Sequence, residues 1–293
     1  VSTATRLTDL RRGLETRLVP LAWANLVANI GIVVTGGAVR LTGSGLGCPT
    51  WPKCTEESYT THAALGINGI IEFGNRLLTY VLLAIALAFV VAAWRRGGRV
   101  RALGLVVLAG IPAQAVVGGI TVLTDLNPWV VAGHLLVSMA MVGVCVWVLD
   151  DLTGPVRGVA SVAVRRLGWA TFGIGWVVLW LGTVVTGSGP HSGDLESRRT
   201  GLDPEVVSHV HGISVGVLVV LTVALLLVAR GRGDRWVATF AGMLLVVELA
   251  QGLLGYVQFF TDLPEVLVGL HMLGAALVAA GLARVVVTTY PRG

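Results

Sequence analysis

Apolar residues in this chain come in runs of membrane-span length, with the charged residues gathered between them. A hydrocarbon core is crossed by roughly 20 mostly apolar residues. Eight stretches qualify: residues 18–40, 67–93, 102–123, 129–149, 167–187, 205–229, 236–260 and 265–287. The pattern predicts an all-α integral membrane protein with eight transmembrane helices. The first stretch reads as a retained span rather than a cleaved leader, because it is span-length and flows into a Gly-rich segment. Val1 reads as an alternative start or a processed terminus.

The spans repeat. Gln114–His134 (QAVVGGITVLTDLNPWVVAGH) aligns without a gap on Gln251–His271 (QGLLGYVQFFTDLPEVLVGLH), with seven of 21 positions identical. Upstream, Gly31–Gly36 (GIVVTG) matches Gly182–Gly187 (GTVVTG). Four spans per copy make both copies enter from one side, so the repeats are parallel rather than inverted. The expected units are 1–150 and 151–293, two pseudo-symmetric four-helix bundles joined through Asp150–Arg166, which contains Gly154, Pro155 and Gly158. Cofactor sites in helical bundles are built from side chains on facing helices. Gly118, Gly119, Gly252 and Gly255 would let a neighbouring helix or a flat ligand approach closely.

Composition agrees: of 293 residues, 55% are hydrophobic and 13% charged, with mean hydropathy +0.82. The net charge of +5 is a matter of sidedness, not of nucleic-acid binding. Sixteen Arg fall on one side, including Arg6, Arg11, Arg12 and Arg17 ahead of the first span. The other side holds only Arg40, Lys53, Arg76, Arg198 and Arg199. Basic loops stay inside. Both termini are therefore expected in the cytoplasm of a plasma-membrane protein, with the acidic loops (Glu56, Glu57, Asp125, Asp194, Glu196, Asp203, Asp262, Glu265) outside.

Candidate chemistry follows from the repeat. His134 and His271 sit near the outer ends of spans four and eight. A lone intramembrane His can be a hydrogen-bonded packing residue, but matched positions favour function, and imidazole is a common haem-iron ligand. Span six opens with His209 and His211, which point to different faces of a helix. Helix position sets His211 against Asn75 of the first copy, which leaves His209 as a bystander at the helix interface. His211 with His271 makes a bis-histidine haem site; the first copy offers His134 opposite Asn75. Glu72 and Asn75, at i and i+3, share a helix face; Glu72 reads either as functional or as a salt bridge to Arg76 or Arg40. Glu248, toward the cytoplasmic half of span seven and without an acidic counterpart, reads as structural. Cys48 and Cys54 flank PTWPK on an outward loop and would close a disulfide in an oxidising compartment, either as a staple or as a labile, redox-active pair. Cys145 reads as buried, and His62 and His191 have no assigned role.

Several motifs together resemble the haem A synthase family, whose members convert haem O to haem A. They are Thr42-Gly-Ser-Gly-Leu46 leading into the Cys48/Cys54 loop, Ile71-Glu72 with Arg76-Leu-Leu78, Thr183-Val-Val-Thr-Gly-Ser-Gly-Pro-His191, and the two span-initial histidines. The resemblance covers nearly the whole chain. It implies haem b on His211 and His271, with substrate haem O in the N-terminal bundle near His134. The implied reaction oxidises a porphyrin methyl to formyl by two hydroxylations and loss of water. Glu72 matches the carboxylate the family uses at that methyl, where it would stabilise positive charge or handle a proton. The chain departs where the family often has a second His, here Asn75, so a single axial ligand from His134 is expected. It departs again at Gly212, which stands where an Arg is expected. Arg40 and Arg76 become candidates for the substrate's propionates. The resemblance also suggests handover from the farnesyltransferase that makes haem O, and an electron acceptor; a homo-oligomer is compatible with the sequence.

Two other classes compete. A membrane haem b electron-transfer protein that oxidises quinol would favour a His pair in both bundles, against Asn75. A parallel-repeat transporter would explain the duplication but not the Cys loop or the outward placement of His and Glu.

Overall fold

The computed structural model describes residues 17–194 and 196–292; Arg6, Arg11 and Arg12 of the topology argument lie outside the described residues. Eight long helices carry the described chain: α1 (Leu18–Leu41), α2 (Gly66–Ala93), α3 (Gly98–Leu123), α4 (Pro128–Thr153), α5 (Val162–Ser188), α6 (Pro204–Gly231), α7 (Arg235–Phe260) and α8 (Glu265–Thr288). Each is long and apolar enough to cross a membrane. Among the described residues no β-strand forms, only an isolated bridge between Arg157 and Arg292. The protein is an all-helical, eight-span membrane protein. Helix is what lipid allows, because it satisfies every backbone group within the segment. The expected spans sit inside the observed helices, which run on past the apolar stretch until a cap stops them.

Several of those caps are explicit. Asn127 accepts from the Trp129 N–H at 3.0 Å ahead of Pro128, and Asp203 accepts from Glu205 and Val206 N–H at 2.8 and 3.2 Å ahead of Pro204. Both are Asx caps followed by a proline that needs no donor. The two Thr-Asp-Leu turns share one backbone form. Asp125 and Leu126 lie at φ 50° and 55°, and Asp262 and Leu263 both at 56°. The left-handed region costs a non-glycine residue roughly 1 kcal/mol, so two such residues in succession, twice, mark a turn held from outside. Thr124 and Thr261 each return a hydroxyl to the carbonyl four residues back, at 2.7 and 2.8 Å.

Helices α1–α4 pack as a ring, each on its chain neighbour with α1 closing on α4, and α5–α8 do the same. The rings meet through α1, α4, α5 and α8, with α4 against α8, α1 against α8 and α4 against α5. Each ring has its own apolar core, one around Phe89, Val107 and Val142, the other around Val164, Leu225 and Ala241. Val33 and Met139 of the first ring reach into the second core, and Ala283 of the second into the first.

At the end carrying the α4–α5 connection, an ion cluster ties the rings together. Asp150, fully buried at the end of α4, accepts from Arg157 at 2.5 and 3.1 Å and from Arg284 of α8 at 2.7 Å. Arg157 also donates to the carbonyls of Val287, Thr288 and Tyr290, which brings the C-terminal tail under the connection. Asp151 pairs with Arg99. Asp150→Asn would leave two guanidinium groups together without their carboxylate. Breaking a buried pair on one side costs about 3 kcal/mol or more. We expect a lower thermal unfolding midpoint of the detergent-solubilised protein; an unchanged midpoint would show that the cluster does not hold this end together.

Candidate functional site

Three histidines occupy one kind of seat. A Cβ added at Gly118 of α3 would lie 3.3 Å from His134 Cε1. The same distance separates Gly182 of α5 from His211 and Gly255 of α7 from His271. Glycine lets the neighbouring backbone close on the ring edge and fix its orientation. In the His134 and His271 rings Nδ1 is sealed in protein without a hydrogen-bond partner, whereas the His211 ring lies against the Val178 carbonyl of α5. A buried polar nitrogen without a partner is costly, and a metal-binding imidazole is normally oriented through its second nitrogen. His211 and His271 lie within electrostatic reach of each other.

The repeated glutamines brace these seats. Gln114 donates to the His134 carbonyl at 2.9 Å and to Ser138 Oγ at 2.6 Å. Gln251 packs so closely on Gly274 of α8 that an added Cβ would fall 1.5 Å from its amide nitrogen. Each glutamine thus fastens the glycine-bearing helix to the histidine-bearing one.

Opposite His134 the first ring differs. Asn75 stands where His211 stands in the second ring, and its Oδ1 accepts from Thr35 Oγ1 at 2.8 Å. Thr186, the counterpart of Thr35, turns instead to its own helix at the Gly182 carbonyl, 2.8 Å away. A Cβ at Gly31, the counterpart of Gly182, would meet nothing within 4 Å. The shorter side chain leaves open space where the second ring has an imidazole.

Beside this opening, Glu72 anchors the cysteine loop. The carboxylate is 5% exposed. Its Oε2 accepts from the Cys48 N–H at 2.6 Å, and its Oε1 from Arg76 Nη2 and Nε at 2.5 and 3.1 Å. Arg76 carries the contact onward to the carbonyls of Cys48, Thr50 and Lys53, at 3.0, 3.0 and 3.2 Å. The bridge to Arg76 is therefore present, and Arg40 takes no part in it. Cys48 and Cys54 form a disulfide, both fully buried, with Cα atoms 4.5 Å apart. Between them Trp51 lies flat on α3, so that a Cβ at Gly119 would fall 2.3 Å from its ring. Adjacent residues of α3 thus receive His134 and the loop's indole.

The remaining candidates separate. Arg40, at the end of α1, donates to the His191 carbonyl at 2.7 Å and to the Thr186 carbonyl at 3.1 Å, both in the second ring. His209 is exposed, hydrogen-bonded to the Glu205 carbonyl of its own helix and edge-on to Phe259. Cys145 is buried, with the Asn29 amide 3.7 Å away. Among the described residues, no three His, Cys, Asp or Glu side chains converge as a metal-ion site. Three features escaped the sequence reading: the Asp150 cluster, the seat of Trp51, and His191, whose Nε2 meets the Leu263 carbonyl at 2.9 Å. The Trp in the Cys loop and the His after the second Gly-rich segment were the available signals.

A family model described as cytochrome oxidase assembly protein matches residues 20–190, which covers α1–α5 with the cysteine loop, Glu72, Asn75 and His134. The chain belongs to this family. Relatives include the Heme A synthase of Staphylococcus haemolyticus, 29% identical over 183 residues, 56% of this chain and 58% of that protein. The Heme A synthase of Lysinibacillus sphaericus is 28% identical over 178 residues, 56% of this chain and 57% of that protein. That of Staphylococcus carnosus is 33% identical over 147 residues, 45% of this chain and 46% of that protein. The chain spans about half the length of the curated relatives it matches. The family match ends before α6 and does not cover His211 or His271.

Gly119→Ala tests the seat of the loop. The added methyl displaces Trp51, and reduction of Cys48–Cys54 by a water-soluble phosphine, followed by alkylation and mass analysis, should become faster than in the wild type. Gly173→Ala on α5, where a Cβ meets nothing within 4 Å, should leave the rate alone. Equal rates in all three proteins would disprove that Trp51 on Gly119 shields the disulfide.

Proposed function

We propose that this protein is a haem A synthase, which oxidises a methyl substituent of haem O to the formyl group of haem A. The observation that carries the reading is the inequality of the two histidine seats. His211 and His271 form a pair suited to a retained cofactor. In the first ring the position of His211 is taken by Asn75, with Glu72 three residues before it on the same helix and open space at Gly31, so His134 has no second imidazole, which suits a substrate that must react and leave. The names of the relatives support the same activity.

The units proposed are 1–150 for the substrate and 151–293 for haem b. The paired seats of the second ring fit a haem, because two facing helices each offer one imidazole held against a glycine. His211 and His271 would hold haem b, which when bound supplies one-electron transfer. In the first unit His134 would be the single protein ligand of haem O. Glu72, fixed by Arg76 and the Cys48 N–H, would present a preorganised negative charge to positive charge developing at the methyl carbon. Two hydroxylations there give a geminal diol, and loss of water leaves the aldehyde. Arg76, already spent on Glu72 and the loop, would act by holding that carboxylate. Arg40, committed to backbone carbonyls of the second ring, fits a linking role better than propionate binding. We place the Cys loop on the outer face of the plasma membrane, with both termini in the cytoplasm. Haem O would come from the farnesyltransferase that makes it, and electrons would leave to a separate acceptor.

Chemical identification of the haems in purified protein tests the assignment. Haem O or haem A beside haem b supports the synthase, haem b alone would support the electron carrier, and absence of haem would favour a transporter. His271→Ala and His211→Ala should each lose haem b while the protein still folds. Glu72→Gln should keep haem b and lower conversion of haem O by roughly 100-fold; undiminished conversion would remove Glu72 from the chemistry. A low-spin bis-histidine spectrum from the N-terminal unit would contradict the single-ligand assignment.

A further inference from the structure

The second ring carries one more polar group that neither histidine seat uses. Glu248 of α7 is 2% exposed. Its Oε1 accepts from Thr222 Oγ1 of α6 at 2.9 Å, and its Oε2 is sealed in protein without a partner. Among the described residues no Lys, Arg or His pairs with it. Thr171 of α5 is fully buried, and its hydroxyl also lacks a partner.

Helix register brings these residues to one level of the ring interior. Gly182 faces His211 across α5 and α6. Eleven residues back along α5 and eleven forward along α6, about three turns each, lead to Thr171 and Thr222. Glu248 precedes Gly255, the glycine against His271, by seven residues, which is two turns or about 10 Å. The first ring has no equivalent. The repeat offsets put Pro20, Ala86 and Ile111 where Thr171, Thr222 and Glu248 stand. Near this level the first ring buries the Asn25 amide, which is bonded to its own helix, and the acid belongs to the ring with the histidine pair.

We propose that Glu248 is a redox-linked proton site, taking up one proton when the haem held by His211 and His271 takes up one electron and releasing it on reoxidation. The proposal rests on the haem b reading. An ionised carboxylate with no cation in an apolar interior is costly, and poor screening there lets it sense a charge arriving two to three turns away. The electron comes from an external one-electron donor and takes the iron from ferric to ferrous. The proton comes from water and forms an O–H bond at Oε2, the oxygen that Thr222 leaves free. The interior's net charge is unchanged. On α6 and α8 the titratable groups that face this level are His211 and His271 above it; Arg284, on the other side, is committed to Asp150. At the level itself α6 presents Thr222, α5 Thr171 and α8 the apolar Val278.

The test is a potentiometric titration of the purified, haem-loaded protein at a series of pH values, with infrared difference spectra between the oxidised and reduced forms. At high pH the carboxylate's negative charge opposes the incoming electron, so the midpoint potential should fall as pH rises through the titration of Glu248. Glu248→Gln should lose that fall. The wild-type difference spectrum should show a carboxylic-acid carbonyl band appearing on reduction, shifted by Thr222→Val, which needs no Glu248 variant to fold. A pH dependence that persists in Glu248→Gln, or a wild-type spectrum without the band, would overturn the proposal while haem binding still depends on His271. Haem retained in full by His271→Ala would overturn the haem b reading and this proposal with it.

Discussion

Hydrogen-bond satisfaction in an apolar interior governs this protein. A bilayer offers no water to a stray donor or acceptor, so polar groups inside the helices are either paired or held for a reason. Asp150 is paired twice over, Glu72 on both oxygens, and Arg76 with three loop carbonyls as well as Glu72. Against that background the unpaired atoms stand out. Among the described residues they include His134 and His271 Nδ1, Gln114 Oε1, Glu248 Oε2, Thr171 Oγ1 and Thr61 Oγ1. All but the last lie on ring helices that carry or face a histidine seat. The orphaned atoms mark the chemistry more sharply than any single motif does.

Much of the fold was legible because lipid imposes a coarse code. A run of about 20 apolar residues is a span whatever it packs against, and all eight expected spans lie within observed helices. The histidine seats were legible for a different reason. The Gln-to-His segment occurs twice, and its turns share the same left-handed residues and the same threonine bonds. Asn75 against His211 could be read from the offset between copies. The Asp150 cluster could not, because it joins residues 7 and 134 positions apart, and Arg284 is indistinguishable in sequence from any arginine of an inside loop. The partners of Arg40 were hidden on the same ground. An arginine near a haem-like seat suggests a propionate, whereas here the side chain crosses to carbonyls 146 and 151 residues away.

Duplication accounts for the shared architecture and divergence for the use made of it. Both rings keep the glycine against the histidine and the glutamine that bolts the two helices. The first ring has Asn75 in place of an imidazole and carries a disulfide loop, roofed by Trp51 and anchored on Glu72. The second carries Thr171, Thr222 and Glu248 at positions where the first has Pro20, Ala86 and Ile111. Each change adds polarity on the side where a charge would have to be managed: the carboxylate at the open seat of the first ring, the acid below the paired seat of the second.

Contacts between the rings tie the two sets of histidine seats together. Arg40 leaves the first ring to hold the His191 carbonyl, and His191 in turn reaches the Leu263 carbonyl. Leu263 is the second left-handed residue of the turn that launches α8, the helix of His271. On the other side, Leu126 of the matching turn, which launches the helix of His134, packs against Gly45 and Gly193, whose backbones are hydrogen-bonded at 2.9 Å. The turn ahead of α4 is therefore held by one loop of each ring, and the turn ahead of α8 by His191 of its own ring, which Arg40 of the first ring holds in turn. A left-handed pair is unfavourable in isolation and persists only where its surroundings over-determine it. Here those surroundings reach the other copy directly at Gly193 and, through His191, at Arg40, so a shift of either histidine helix at this end would be felt in the partner ring.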